Sequence, residues 1–111
     1  MTMELAQKQI LEPPPTVVIF RKWKPSHGGC VIALFPEEPS DHEGRFCESY
    51  EHVGQHGGAD YHGVVRRTLP ATETESRDLL EELTWNYGYS LVVKRKASPA
   101  MHNKRRKLAK E

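Results

Sequence analysis

The sequence predicts an α+β fold: a mainly antiparallel sheet of four to five strands, ordered β-β-β-(β)-α-β, with one helix packed on a face. Three observations predict it. Short apolar runs near the start are separated by turn residues at hairpin spacing. One stretch, residues 72–88, repeats apolar residues at helical spacing between a start and a stop signal. A further apolar run follows that stretch directly. At 111 residues the chain is one domain with tails: an N-terminal arm with a proline spacer over 1–15, an α+β domain over 16–93 and a disordered basic tail over 94–111.

Residues 1–12 have the composition of a short, marginal helix, which Pro13-Pro-Pro15 ends. Thr16-Val-Val-Ile-Phe-Arg-Lys-Trp-Lys24 reads as a strand. Val18 and Phe20 point one way, Val17, Ile19, Arg21 and Trp23 the other, and both faces are apolar at its start, as in a central strand. Pro25-Ser-His-Gly-Gly29 is turn chemistry, and Cys30-Val-Ile-Ala-Leu-Phe35 is the second strand of a hairpin. The acidic, proline-containing residues 36–44 form a surface loop. Arg45 to Val53 alternates as a third strand, and Val64-Val65 allow a fourth over residues 61–68. Thr72 and Glu75 form a capping box. Leu79, Leu80, Leu83 and Tyr87 make the apolar stripe of the helix, and Gly88 closes it. Leu79, Leu80 and Leu83 are expected against Phe20, Ile32 and Leu34. Tyr89-Ser-Leu-Val-Val93 is the last strand.

Charge divides the chain. Residues 94–111 hold eight Lys/Arg and one acid, whereas residues 1–93 hold eight Lys/Arg and fourteen acids. A basic, apolar-poor tail is expected to be disordered when free and to serve as a handle for DNA or RNA, with docking on its own acidic body as the alternative. Its contact residues are Lys94, Arg95, Lys96, Lys104, Arg105, Arg106 and Lys107. No run approaches the roughly 18 apolar residues of a membrane span, and the N-terminus lacks signal-peptide order. The expectation is a cytoplasmic protein with no membrane partner. Cys30 and Cys47 are too few for a disulfide scaffold and read as buried strand thiols.

Tyr50-Glu-His-Val-Gly-Gln-His-Gly-Gly-Ala-Asp-Tyr-His62 puts three histidines, three glycines, two tyrosines and two acids into thirteen residues. That composition suits a structured turn or a site. Tyr50, His52, Gln55, His56, Asp60, Tyr61 and His62 are its candidate contact surface. Metal ligation is one option: His52, His56, Asp60 and His62 are the candidates for a metal-dependent hydrolase, since three such groups can hold an ion with open positions. Yet the spacing matches no metal-hydrolase signature. A structural zinc on His27, Cys30, Cys47 and His52 fits less well, because Cys47 and His52 face opposite sides of one strand. The glycines suggest a phosphate cradle, but neither nucleotide fingerprint is present. Arg21, Lys22 and Lys24 beside Trp23, with Arg66-Arg67, suggest a stacking surface for single strands.

Ser49 to Tyr61, with Val18-x-Phe-Arg-Lys-Trp-Lys24 and Val31-Ile-Ala-Leu-Phe-Pro36, resembles a group of small uncharacterised bacterial proteins. The resemblance covers most of residues 16–93 and carries no activity with it. No specific catalytic signature is present and no cofactor is implied. The sequence therefore favours a small nucleic-acid-associated binding protein of the bacterial cytoplasm. The alternatives are the His/Asp hydrolase and a protein–protein interaction module or inhibitor that uses the acidic body.

Overall fold

Two apolar faces on one strand organise the fold. The computed structural model describes residues 14–52 and 54–111; the helix expected over residues 1–12 lies outside them. In β1, Pro15–Trp23, the buried residues Val18 and Phe20 alternate with Ile19 and Arg21. Val18 and Phe20 join Ala33, Phe35, Tyr50, Leu79 and Leu83 in one core. Ile19 joins Ile32, Leu34, Cys47, Ala59, Tyr61 and Val64 in a second core on the opposite face. The sheet is therefore covered on both sides.

The elements run β1, β2 (Val31–Pro39), β3 (Cys47–Glu51), β4 (Gln55–Ala59), α1 (Tyr61–Arg67), β5 (Thr68–Pro70), α2 (Glu73–Tyr87), β6 (Ser90–Val93) and α3 (Pro99–Ala109). The fold is α+β as expected, but its sheet is mixed and larger than expected, with six strands and three α-helices among the described residues. Strand order is β4-β3-β2-β1-β5, all antiparallel neighbours. β6 adds a parallel pairing to β1, Thr16 opposite Leu91 and Val18 opposite Val93. β5 takes the other half of the same edge, opposite Arg21–Trp23.

The helix read from the sequence is α2. Thr72 Oγ1 accepts from Glu75 N–H at 3.1 Å and Glu75 Oε1 accepts from Thr72 N–H at 2.9 Å, which closes the capping box. Gly88 ends the helix at φ +73°, where a Cβ would be strained. Leu79 and Leu83 are buried, and Leu80 packs beside them. Their strand partners include Phe20, but Ile32 and Leu34 line the opposite face: on β2 it is Ala33 and Phe35 that meet α2.

Three expectations are corrected. The fourth strand does not lie over 61–68. Tyr61, Val64 and Val65 fall on one face of a helix and pack into the second core. The strand is instead Gln55–Ala59, in the glycine-rich segment, paired in register from Glu51–Gln55 to Cys47–Ala59. Gly58 suits it because an added Cβ would lie 2.4 Å from Ser40 Oγ.

The disordered tail is replaced by α3, which Ser98 caps by accepting from Met101 N–H at 3.3 Å. Few apolar groups hold it. His102 and Arg105, one turn apart, are buried, and Arg105 donates to Gly44 O at 2.8 Å and Pro36 O at 2.7 Å. Gly44 makes room: its φ is +72°, and a Cβ there would lie 2.7 Å from Arg106 Cα. Hydrogen bonding thus supplies the docking that the apolar count does not. Finally, Cys47 is buried, but Cys30 precedes β2 and is exposed.

Leu83 is fully buried between α2 and the sheet. Leu83→Ala is expected to destabilise the fold by about 2–5 kcal/mol, measured by chemical denaturation. A midpoint equal to the parent's would contradict this packing.

Candidate functional site

Alternation along β3 separates the residues that the sequence groups together. Tyr50 points toward α2, whereas Cys47 and Ser49 point to the face that carries α1 and α3. Tyr50 is fully buried; its hydroxyl donates to Glu82 of α2 and accepts from Gly54 N–H at 2.8 Å. Burial, reinforced by the Glu82 bond, raises the hydroxyl's pKa and keeps it protonated. Glu82 also takes His52 Nδ1 at 2.6 Å. The His56 ring stands edge-on to Tyr50 at 4.6 Å and to Tyr87 at 5.0 Å. This cluster pins the β3–β4 turn to the end of α2. Glu82 was missed in the sequence, although its place three residues after Leu79 borders the apolar stripe.

Tyr61 and His62 belong to a different cluster. Tyr61 is buried and its hydroxyl accepts from Ala97 N–H at 2.7 Å. The rings of Tyr61, His62 and His102 gather 4.9–5.3 Å apart. Asp60 immediately precedes α1, and its carboxylate lies where a side chain on Gly63 would be. His52, His56, Asp60 and His62 are thus dispersed. Among the described residues no three His, Cys, Asp or Glu side chains come together to hold a metal. Neither the four metal candidates nor the set His27, Cys30, Cys47 and His52 forms such a group among the described residues.

What the structure does assemble is a cleft on the face shared by α1 and α3. Two adjacent hollows of about 570 and 380 Å³ share Trp23, Glu51, Gln55 and Arg67 in their walls, and together they make up the cleft. His27, Cys30 and His52 border one end; His56, Gly57, Gly58 and Asp60 border the other. Of the sequence-predicted residues, Gln55 and Asp60 line it; His52 and His56 border it with their rings turned to the α2 side, toward Glu82 and Tyr50, and Tyr50, Tyr61 and His62 are not part of it. Trp23 Nε1–H donates to Glu51 Oε1 at 2.8 Å. The Arg67 guanidinium lies 6.0 Å from the Trp23 ring centroid and donates to Gly63 O at 3.0 Å. The cleft so combines a flat aromatic wall, a guanidinium and a carboxylate in fixed relation.

Of the cations expected beside Trp23, Arg21 is not at the surface. It donates to Thr68 Oγ1 and Thr68 O at 2.9 Å and to Val65 O at 3.0 Å. Lys22 pairs with Glu75 at 2.5 Å, which with the Thr72 N–H holds that carboxyl down at about 2. Among the tail residues, Arg105 is buried and Lys104 pairs with Glu37 at 3.3 Å. Lys94, Arg95, Lys96, Arg106 and Lys107 are exposed. No family model matches the chain, and neither a curated protein nor a solved structure matches it.

His102 supplies a pH test. Burial, then the neighbouring Arg105, His62 and Arg106, lower its pKa to about 4, against roughly 6.5 for a free imidazole. Between those values the unfolded chain binds the extra proton. This contribution to stability is therefore full above about pH 6.5 and is lost as pH falls toward 4. His102→Gln, which keeps an acceptor near Arg105, is expected to lose less stability than the parent between neutral pH and about pH 4.5, within the window between the folded and the free imidazole values. Parallel losses in the two proteins would show that His102 is not the titrating group.

Proposed function

We propose that this is a nucleic-acid-associated binding protein whose α1/α3 face contacts phosphates and whose cleft receives an unstacked base. The observation that carries this reading is the unequal charge of the two helical layers. α2 holds five acids and a single base, Arg77. On the other face, α1 and α3 hold six bases and no acid. With Arg105 turned inward, Arg66, Arg67, Lys104, Arg106 and Lys107 remain at the surface. A field of one sign over one face steers a polyanion to that face. The cleft opens beside it, and an indole with an adjacent guanidinium suits base stacking.

The test is oligonucleotide binding across a salt series. Five phosphate contacts correspond to a log–log slope of about −3.5 on single strands. Replacing Lys104, Arg106 and Lys107 together by Gln is expected to flatten that slope by about 2. Trp23→Ala should weaken single-strand binding by about 1–3 kcal/mol with the slope unchanged. Salt-independent binding, or a triple variant with the parent's slope, rejects the reading.

A second reading rests on Trp85, which is 81% exposed on the acidic helix α2. An exposed indole among acids is suited to anchoring a protein partner. In affinity capture, Trp85→Ala should lose a partner that the Lys104/Arg106/Lys107 variant retains. Identical captures from the two variants and the parent would reject it.

A further inference from the structure

β5 and β6 divide one edge of β1, and they leave a gap between them. β6 ends at Val93 opposite Val18, after which Lys94 N–H donates to Val18 O at 2.9 Å. β5 ends at Pro70 opposite Arg21, after which Ala71 N–H donates to Phe20 O at 3.2 Å. The two chains then diverge. A cavity of about 800 Å³ opens between them against the first turns of α2, larger than either hollow of the cleft.

Its lining combines apolar and cationic side chains. Phe20, Ala71, Leu80 and Val93 supply apolar walls; Phe20 is buried, Ala71 and Leu80 are half-buried, and Val93 is exposed. Arg77, Lys94 and Arg95 also line it, and all three are exposed. None of the three has an ion pair or side-chain hydrogen bond among the described residues. Glu73 is the one acidic residue in the lining, so the three cations outnumber it. Ser76 is buried there too, but its hydroxyl already donates to Thr72 O at 3.0 Å.

The volume lies within the roughly 300–1,000 Å³ of small-molecule sites. Cations beside apolar walls complement a ligand with an apolar body and one anionic head. We infer that this cavity binds a medium-chain monocarboxylate. Its alkyl chain lies against Phe20, Ala71 and Leu80, where burial of methylenes drives association. Its carboxylate meets Arg77, Lys94 and Arg95, and the guanidinium groups can hold it through paired N–H donors. The site stands apart from the cleft, on the side of the sheet that α2 covers, and does not rest on the nucleic-acid reading.

The experiment is calorimetric titration of the full chain with decanoate, decanol and decyltrimethylammonium, each below its aggregation concentration. Decanoate is expected to bind saturably, decanol at least tenfold more weakly, and the cationic amphiphile not at all. Arg77→Gln combined with Arg95→Gln should remove most of the preference for decanoate over decanol, leaving only what Lys94 supplies, with decanol unchanged. Leu80→Trp, which fills the apolar end, should weaken both at least tenfold. The double Gln variant changes only exposed side chains, so it decides the matter even if Leu80→Trp does not fold. Equal affinity for all three probes, no saturable binding, or a double variant that retains the parent's full preference for decanoate overturns the assignment.

Discussion

Two buried guanidinium groups hold the second helical layer in place. Arg21 reaches from β1 to Thr68 and to the Val65 carbonyl at the end of α1. Arg105 reaches from α3 to the Gly44 and Pro36 carbonyls and lies 2.8 Å from His102 Nδ1. A buried carbonyl without a donor costs free energy comparable to a lost hydrogen bond, and one arginine can satisfy several. Desolvation lowers the pKa of both arginines, but their ordinary value is so high that they remain charged at neutral pH. α1 is only seven residues long, and α3 is strongly polar. Neither would be stable alone, so their place depends on these contacts.

That arrangement also sorts the charge. An arginine used inward leaves its helical neighbours turned outward, so Lys104, Arg106 and Lys107 lie at the surface while Arg105 anchors them. α2, opposite, is packed by leucines and can carry acids on its outer side. The cleft lies on the basic side because Trp23, Ser49 and Glu51 share strand parity with Ile19 and Cys47. Tyr50 and its polar partners, one residue out of phase, instead tie the β3–β4 turn to α2 and serve the fold.

β1 imposes the remaining constraint. Its nine residues accept β2 along one edge, but the other edge is shared by a three-residue strand and a four-residue strand. The main chain at Val18 and Phe20 is still satisfied, by Lys94 and Ala71 N–H groups. What is left unfilled is the space beside α2 where the two chains part. The cavity there follows from the topology rather than from any local motif.

Local patterns were enough to read much of this chain. The faces of β1, the hairpin to β2, the capping box at Thr72, the leucine stripe of α2 and its stop at Gly88 follow from period, turn chemistry and capping, all of which act within a few residues. The pieces read wrongly depend on distant partners. Gln55–Ala59 is a strand because β3 pairs with it, despite its glycines. Residues 61–67 are helical because Tyr61 and Val64 have a sheet face to cover. Basic residues look alike in a sequence, yet Arg21 and Arg105 are buried by carbonyls 44–69 positions away. The sequence by itself determined the α+β class, the main helix and the excess of positive charge near the C-terminus. Only the tertiary structure decided which of those charges face solvent, that the histidines separate, and where the cleft and cavity open, because long-range hydrogen bonds and sheet pairing set burial.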